Sequence, residues 1–409
     1  MYDIKAIRKQ FPMLQNKQMQ GHPLIYLDNA STTFKPQCVI DAMNRYYTEE
    51  TANHHRGDYD LLFNMDKAIA DTRETVAHFI NCESKEVVFT SGDTMSLNLI
   101  ALSYGFQFLK KGDEILLSEA EHASDVLPWF EVSHLTGAVI KFIPLDENGS
   151  LTVDNLKKII TSKTKIISVA HVSNVLGNIV DIKAFAKVAH EHGAVLVVDG
   201  AQSVPHMKID FKDSDIDFLT FSGHKMCGPT GVGCMIGKYS LLEKMWPYFV
   251  GGGMNVLFNK KIEMVPYDPP MRFEAGTQNL SGIVGLKAAI EFLESIGIDN
   301  IHKHDRELCE YAISKLGKCD DIIIYNKNSK NGIITFNKKG VFAQDEATLL
   351  NSKGIAVRSG QHCAKMLDDF LGAPATVRMS TYLYTSKEDI DAFVDAVING
   401  GDFLDAYFN

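Results

Sequence analysis

Ala194-Val195-Leu196-Val197-Val198-Asp199-Gly200-Ala201-Gln202 and, further along, Phe218-Leu219-Thr220-Phe221-Ser222-Gly223-His224-Lys225 decide the fold of this 409-residue chain. Each is an apolar run, rich in β-branched or aromatic residues, that stops at a chemically active side chain. Continuous apolar runs of this length, bounded by glycine and polar residues, read as parallel strands buried on both faces. Open α/β sheets bind ligands at the carboxyl ends of their strands. The acid Asp199 and the amine Lys225 are therefore expected at one sheet edge.

An aspartate paired with a lysine in that position suits pyridoxal phosphate. The lysine forms a Schiff base with the aldehyde, the carboxylate keeps the pyridine nitrogen protonated, and the ring draws electrons. Taken singly, Asp199 reads as a helix-capping core residue and Lys225 as a surface lysine. Together, at two strand ends among small and hydroxyl residues, they point to the cofactor.

The surrounding chain repeats the pattern. Val87–Thr90, Glu114–Ser118, Val139–Ile143 and Lys165–Ala170 read as strands, Ser96–Leu109 as an amphipathic helix, and Ile182–His190 as a helix stopped by Gly193. This alternation predicts a mostly parallel sheet with helices on both faces. The chain exceeds the size at which one core stops growing, so a second, smaller domain is expected. A helical pattern from Ile283 to Ile296 would leave the large domain, taken as residues 16–296. Residues 297–409, with residues 1–15 packed against them, would form the small one.

Composition bounds the function. Apolar residues make up 45% and charged residues 22%, as in ordinary soluble globular proteins. The formal net charge is −10, from 41 basic and 51 acidic residues without a basic cluster, which argues against nucleic acid or a membrane surface as partner. Seven cysteines at irregular spacings, with no C-x-x-C pair, predict neither a disulfide framework nor a zinc site and fit a reducing compartment. The N-terminus lacks a signal-peptide core, and no apolar run approaches the ~20 residues of a membrane span. A cytoplasmic protein is expected, in which the sequons at Asn29, Asn148 and Asn279 carry no meaning.

Thr90-Ser91-Gly92-Asp93-Thr94 joins a strand to a helix, and such a turn offers N–H groups and hydroxyls to a phosphate; read alone, it fits a helix cap slightly better. Ser222 and His224 could add contacts. Asp93 is out of place there unless it points away, because a carboxylate repels phosphate. Gly251-Gly252-Gly253 lies outside any strand–turn–helix frame and reads as a loop rather than a dinucleotide fingerprint.

With these residues in place the chain resembles the class V aminotransferases, and more narrowly the Suf-type (group II) cysteine desulfurases. The resemblance runs from Ile7-Arg8-Lys9-Gln10-Phe11-Pro12 to Arg378. It is carried by Tyr26-Leu27-Asp28-Asn29-Ala30, His171-Val172-Ser173-Asn174-Val175-Leu176-Gly177, the two motifs quoted first, and Arg272-Phe273-Glu274-Ala275-Gly276-Thr277. Arg358-Ser359-Gly360-Gln361-His362-Cys363-Ala364 narrows it to the desulfurases. The resemblance implies the PLP-transferase fold type I: a large domain with a mostly parallel seven-stranded sheet and a smaller α+β C-terminal domain.

It also implies a cast of residues. Lys225 would carry the Schiff base and shuttle protons, Asp199 would meet the pyridine nitrogen, and Gln202 the ring's phenolic oxygen. His122 would stack on the ring. Thr94, Ser222 and His224 would hold the phosphate, with Thr277 reaching in from the partner of a homodimer. Asn174 and Arg378 would hold the carboxylate of L-cysteine, and Cys363 would be the nucleophile that keeps the sulfur as a persulfide while L-alanine leaves. A sulfur-acceptor carrier protein of the Suf system, serving iron–sulfur cluster assembly, is the implied partner, and no metal is expected.

The chemistry of the residues agrees. A guanidinium pairs bidentately with a carboxylate, and neighbouring positive charge favours a thiolate. Read without the resemblance, Arg378 is a surface ion-pair partner, His122 a satisfied loop histidine and Cys363 an inert cysteine. Cys227, two residues after Lys225, is the rival thiol, and its position suggests packing beneath the cofactor. Departures from the family pattern fall at Ser31, Asp93, Met95, Ala123, Asp125 and Cys227. The alternatives are a selenocysteine lyase or another class V lyase, a plain aminotransferase, and a catalytically silent sulfur-relay scaffold.

Overall fold

Apolar runs form the seven strands of the central sheet: β1 (Val87–Thr90), β2 (Glu114–Ser118), β3 (Val139–Ile143), β4 (Thr164–Ala170), β5 (Val195–Asp199), β6 (Phe218–Ser222) and β7 (Gly233–Gly237). The computed structural model describes residues 2–54, 57–401 and 404. The strand order is β1-β7-β6-β5-β4-β2-β3. Strands β6, β5, β4, β2 and β3 pair in parallel, and β7 runs antiparallel to both of its neighbours. Every residue of β2, β6 and β7 is buried, and every residue of β5 but Val195, as expected for a sheet covered on both faces.

This topology gathers the chemistry at one edge. The carboxyl ends of β1, β2, β4, β5 and β6 lie together, and the first residue of β7, Gly233, pairs with both Thr90 and Ser222. Only glycine fits there. A Cβ on Gly233 would lie 2.4 Å from the Phe221 carbonyl oxygen and 2.7 Å from Gly92 Cα. Gly92 itself has a φ of 148°, a region that favours glycine.

The helix expected over 96–109 starts earlier and is not uniform. It comprises α1 (Asp93–Ile100), a wider π-type segment (Ala101–Gly105) and a last turn at Phe106–Phe108. The widened turn sets Gly105 against the buried Trp129 ring, where a Cβ would come within 2.7 Å of Cζ3. The other helices follow their sequence signals. α2 (Ala123–Thr136) begins at His122, and α3 (Ile182–Glu191) begins where Asp181 accepts the Ala184 N–H at 3.0 Å. The long α4 (Leu280–Ile296) ends at Gly297.

A second sheet holds β8 (Ile322–Ile324), β9 (Ile333–Lys338), β10 (Arg358–Gly360) and β11 (Thr376–Ser380) in the antiparallel order β8-β9-β11-β10. Its core includes Leu308, Phe336, Val377 and Phe393, supplied in part by α5 (Ile298–Leu316) and α6 (Lys387–Asn399). Its register sets Arg358 directly opposite Arg378. The N-terminal segment ties the two sheets together. Tyr2 stacks on His304 with centroids 4.4 Å apart, Arg8 pairs with Asp389 at 2.5 Å, and Phe11 packs on Phe292 and Tyr384. Ile25–Tyr26 pairs in parallel with Ile355–Ala356, and Asp28 bridges to Ser380. No helix among the described residues is long and apolar enough to cross a membrane.

Because the Gly233 contacts are with backbone atoms that cannot rotate away, Gly233→Ala is expected to destabilise the protein by about 1–3 kcal/mol. Chemical denaturation checks this, and an unchanged midpoint would show that the turn at Gly92 yields freely.

Candidate active site

The sheet edge opens into a cavity of about 270 Å³ lined by Asp93, His122, Asp199, Lys225, Cys363 and Arg378, among others. Lys225 ends the short 3₁₀ turn after β6. Its amine has no hydrogen-bond or ion-pair partner among the described residues. Burial holds it below the usual lysine range, against the opposing pull of Asp199 and Asp93. Asp199, the last residue of β5, is buried, and its Oδ1 accepts the Ala201 N–H at 2.8 Å. Gln202 is fixed at both ends: its amide donates to the Ala30 carbonyl at 2.8 Å, and Asn331 donates to its carbonyl at 3.1 Å.

The phosphate-type groups collect at the N-terminus of α1. Ser222 Oγ accepts the Asp93 N–H at 2.8 Å, and the Thr94 hydroxyl lies 2.8 Å from Ser124 Oγ. His224 sits 3.2 Å from Thr32 Oγ1, and burial, then the Lys225 charge, push its pKa down to about 4. It is a neutral imidazole at ordinary pH. His122 caps α2, with Nδ1 accepting the Ser124 N–H at 3.1 Å, and burial lowers its pKa as well.

The opposite wall comes from the second sheet. Arg378, almost fully buried, donates from Nη1 to the Asn174 carbonyl at 2.9 Å and from Nη2 to Asp28 at 3.2 Å and Ser31 at 2.9 Å. Arg358 donates to the same Ser31 hydroxyl at 2.8 Å. Two guanidiniums facing each other across strands repel, and Asp28 is the one carboxylate paired with them among the described residues. The Nε of Arg378 is buried without a partner. This corner is built for an added anion.

Cys363 follows β10 on a loop. It is exposed, and it and His362 both adopt positive φ, 60° and 51°. Three hydrogen bonds hold this loop: Ala123 N–H to the Cys363 carbonyl at 2.7 Å, Asn174 Nδ2 to the His362 carbonyl at 2.7 Å, and the His362 ring to Thr376 at 2.9 Å. Cys227 is buried, does not line the cavity, and burial pushes its thiol up to about 12. It cannot serve as a thiolate here.

Ten of the sequence-predicted residues thus converge: Thr94, His122, Asn174, Asp199, Gln202, Ser222, His224, Lys225, Cys363 and Arg378. Thr277 does not join them. It lines a separate cavity of about 100 Å³ with Asn53, His54, Gly252, Gly253 and Glu274. Sequence reasoning missed Arg358 as a site residue, although it lay inside a quoted motif, and missed Asp28 beside Arg378. Asp93 does not point away as its charge required. It is buried beside Asp199 and Lys225, and burial followed by the Asp199 charge raises its pKa to about 8.

The donor set fits pyridoxal phosphate. The start of α1 with Thr94, Ser222 and His224 suits a phosphate, Asp199 suits a protonated pyridine nitrogen, and the unpartnered Lys225 amine suits an aldehyde. Among the described residues no group of His, Cys, Asp and Glu could hold a metal ion.

Comparisons with known proteins give the family. Residues 25–393 match the family model for aminotransferase class V. A "probable cysteine desulfurase" of Halalkalibacterium halodurans is 45% identical over 94% of this chain and 95% of its own, and one of Staphylococcus epidermidis is 43% identical over 100% and 99%. Among solved structures, the cysteine desulfurase CsdA of Escherichia coli, in an S-sulfonic acid form, has a TM-score of 0.91 and 36% identity over 98% of both chains. The apo cysteine desulfurase of Thermococcus onnurineus also has a TM-score of 0.91 with 36% identity, over 96% of both.

Three site or near-site histidines, His171, His224 and His362, are held neutral by burial, with pKa values down to about 4, 4 and 3. Their ring-proton NMR shifts are expected to stay constant from pH 8 to about 5. Since the unfolded chain takes up these protons near pH 6.5, His362→Asn should gain stability relative to wild type as pH falls through 6.5 towards 3. A wild-type His362 that titrates near 6.5 would contradict the burial argument.

Proposed function

This chain belongs to the class V aminotransferase family and is a cysteine desulfurase that uses pyridoxal phosphate, and we propose that its chemistry is divided between Lys225, Cys363 and Arg378. One observation carries the division: a single cavity holds an unpartnered, partly buried amine, an exposed thiol and two facing guanidiniums. An amino acid bearing sulfur can meet all three at once.

The bound cofactor supplies an aldehyde for the substrate amine and a protonated ring that withdraws electrons. Arg378, with Asn174 and Arg358 beside it, holds the carboxylate of L-cysteine and so fixes the orientation of the α-carbon. Asp199 would keep the proton on the pyridine nitrogen, Gln202 would serve the phenolic oxygen and His122 the ring. Thr94, Ser222 and His224 would hold the phosphate. Burial lowers the basicity of Lys225, which favours the free amine that takes the α-proton and returns it. The Cys363 thiolate attacks the substrate sulfur: an S–S bond forms, the C–S bond breaks, and its electron pair stays with carbon, which is protonated to give L-alanine. The persulfide then rests on an exposed loop, within reach of a sulfur-acceptor carrier protein that feeds iron–sulfur cluster assembly.

The working unit in this reading is a homodimer. Thr277 lies outside its own chain's cavity, and Trp246, Tyr248, Val256, Leu257, Phe258 and Val265 expose apolar surface in and around the nearby hairpin Asn255–Phe258/Met264–Pro266. A face of that kind fits burial against a second copy, with Thr277 completing the partner's phosphate site.

Cys363→Ala is expected to cut alanine release from L-cysteine by about a hundredfold or more while keeping the cofactor's visible absorbance. Normal release by that variant would reassign the nucleophile. Arg378→Lys should raise the KM for L-cysteine about ten- to a hundredfold, because a lysine cannot make the bidentate pair; steady-state kinetics decide. Thr277→Ala should weaken cofactor retention, and sedimentation should give a dimer.

A further inference from the structure

Asp93 places a second acid where the site already has one. It opens α1 at the phosphate turn, is 7% exposed, and lines the cavity with Asp199, Ser222 and Lys225. Its N–H is used by Ser222, but its carboxyl Oδ1 is buried without a hydrogen-bond partner. Thr220, in register with Asp199 on the adjacent strand, brings a hydroxyl toward it. An ionised carboxylate there lacks water, and the Thr220 hydroxyl and the Lys225 charge offset only part of that loss, so the charged form is disfavoured.

The neighbours come from four directions. Asp199 on β5 is the nearest like charge in effect, and Lys225 after β6 opposes it. Asp125 on α2 is fully buried and is held well above its usual range by burial, with Glu121, Asp199 and Asp93 adding to it. His122 at the start of α2 and His224 are neutral, and Arg358 and Arg378 lie across the cavity. Glu121 is held up to about 8, but it is engaged by Ser118 and by the Ala170 N–H at 2.7 Å.

We propose that Asp93 is a positioning residue that works as a neutral carboxylic acid: it leaves Asp199 as the single anion for the pyridine nitrogen and keeps the phosphate turn free of negative charge. This deepens the assignment of Asp199, Lys225 and the α1 turn to the cofactor, and rests on it. The consequence is a limit on the alkaline side. Burial and Asp199 set the Asp93 pKa to about 8. Below that pH the turn is neutral, and above it Asp93 presents a negative charge to the phosphate.

The test is release of pyridoxal phosphate from the holoenzyme, followed by ultrafiltration and absorbance between pH 6.5 and 9.5. Wild type is expected to release cofactor about tenfold faster at pH 9 than at pH 7. Asp93→Asn, a neutral isostere, should lose this pH dependence, its release rate staying flat from pH 7 to 9, with any Glu121 contribution common to both. Should the Asn variant fold poorly, Asp93→Thr carries the same expectation. Parallel pH curves for wild type and variant would overturn the role of Asp93 while leaving the cofactor site intact. A Lys225→Ala protein with an unchanged visible band would overturn the cofactor assignment itself, and this proposal with it.

Discussion

A half-buried amine without a partner is the constraint on which the rest of this structure depends. Lys225 is held at the carboxyl edge of a sheet whose neighbouring strands end in Asp199 and Ser222. Left alone, such an amine gains nothing from burial; it is tolerable because the cavity is a site. The parallel pairing of β5 and β6 sets the acid and the amine side by side, while the antiparallel β7 lets the α1 turn approach through Gly233. Changing the direction of that one strand would separate the phosphate turn from the lysine.

Much of this was legible in the sequence because strands that end at chemistry announce themselves locally. Asp199, Ser222, His224 and Lys225 each sit at or just after the end of an apolar run, and the runs gave both sheet and site edge. The Arg358–Arg378 juxtaposition was not legible. It depends on the register of two short strands separated by a loop and a helical turn, and register across such a gap is set by packing of the second core rather than by any local pattern.

Asp93 failed for a different reason. Its charge was read as fixed, whereas burial beside Asp199 makes protonation the cheaper solution. The helix expected over 96–109 begins earlier, at Asp93, and is not uniform, because 3.6-residue periodicity does not register a single widened turn. Thr277 carries no local signal for the site and lines a separate cavity.

The facing arginines also determine what the site turns away. Asp28 offsets part of their charge, yet one Nε remains buried and bare, so the empty corner is electrostatically unfinished. A thiol that brings an amine but no carboxylate would shut this corner from water and leave the guanidiniums without an anion. Discrimination against cysteamine-like molecules would then arise from the penalty of an unpaired buried charge, not from a wall that blocks them. The site can stay roomy and still be exacting, because its filter is a missing charge rather than a shape.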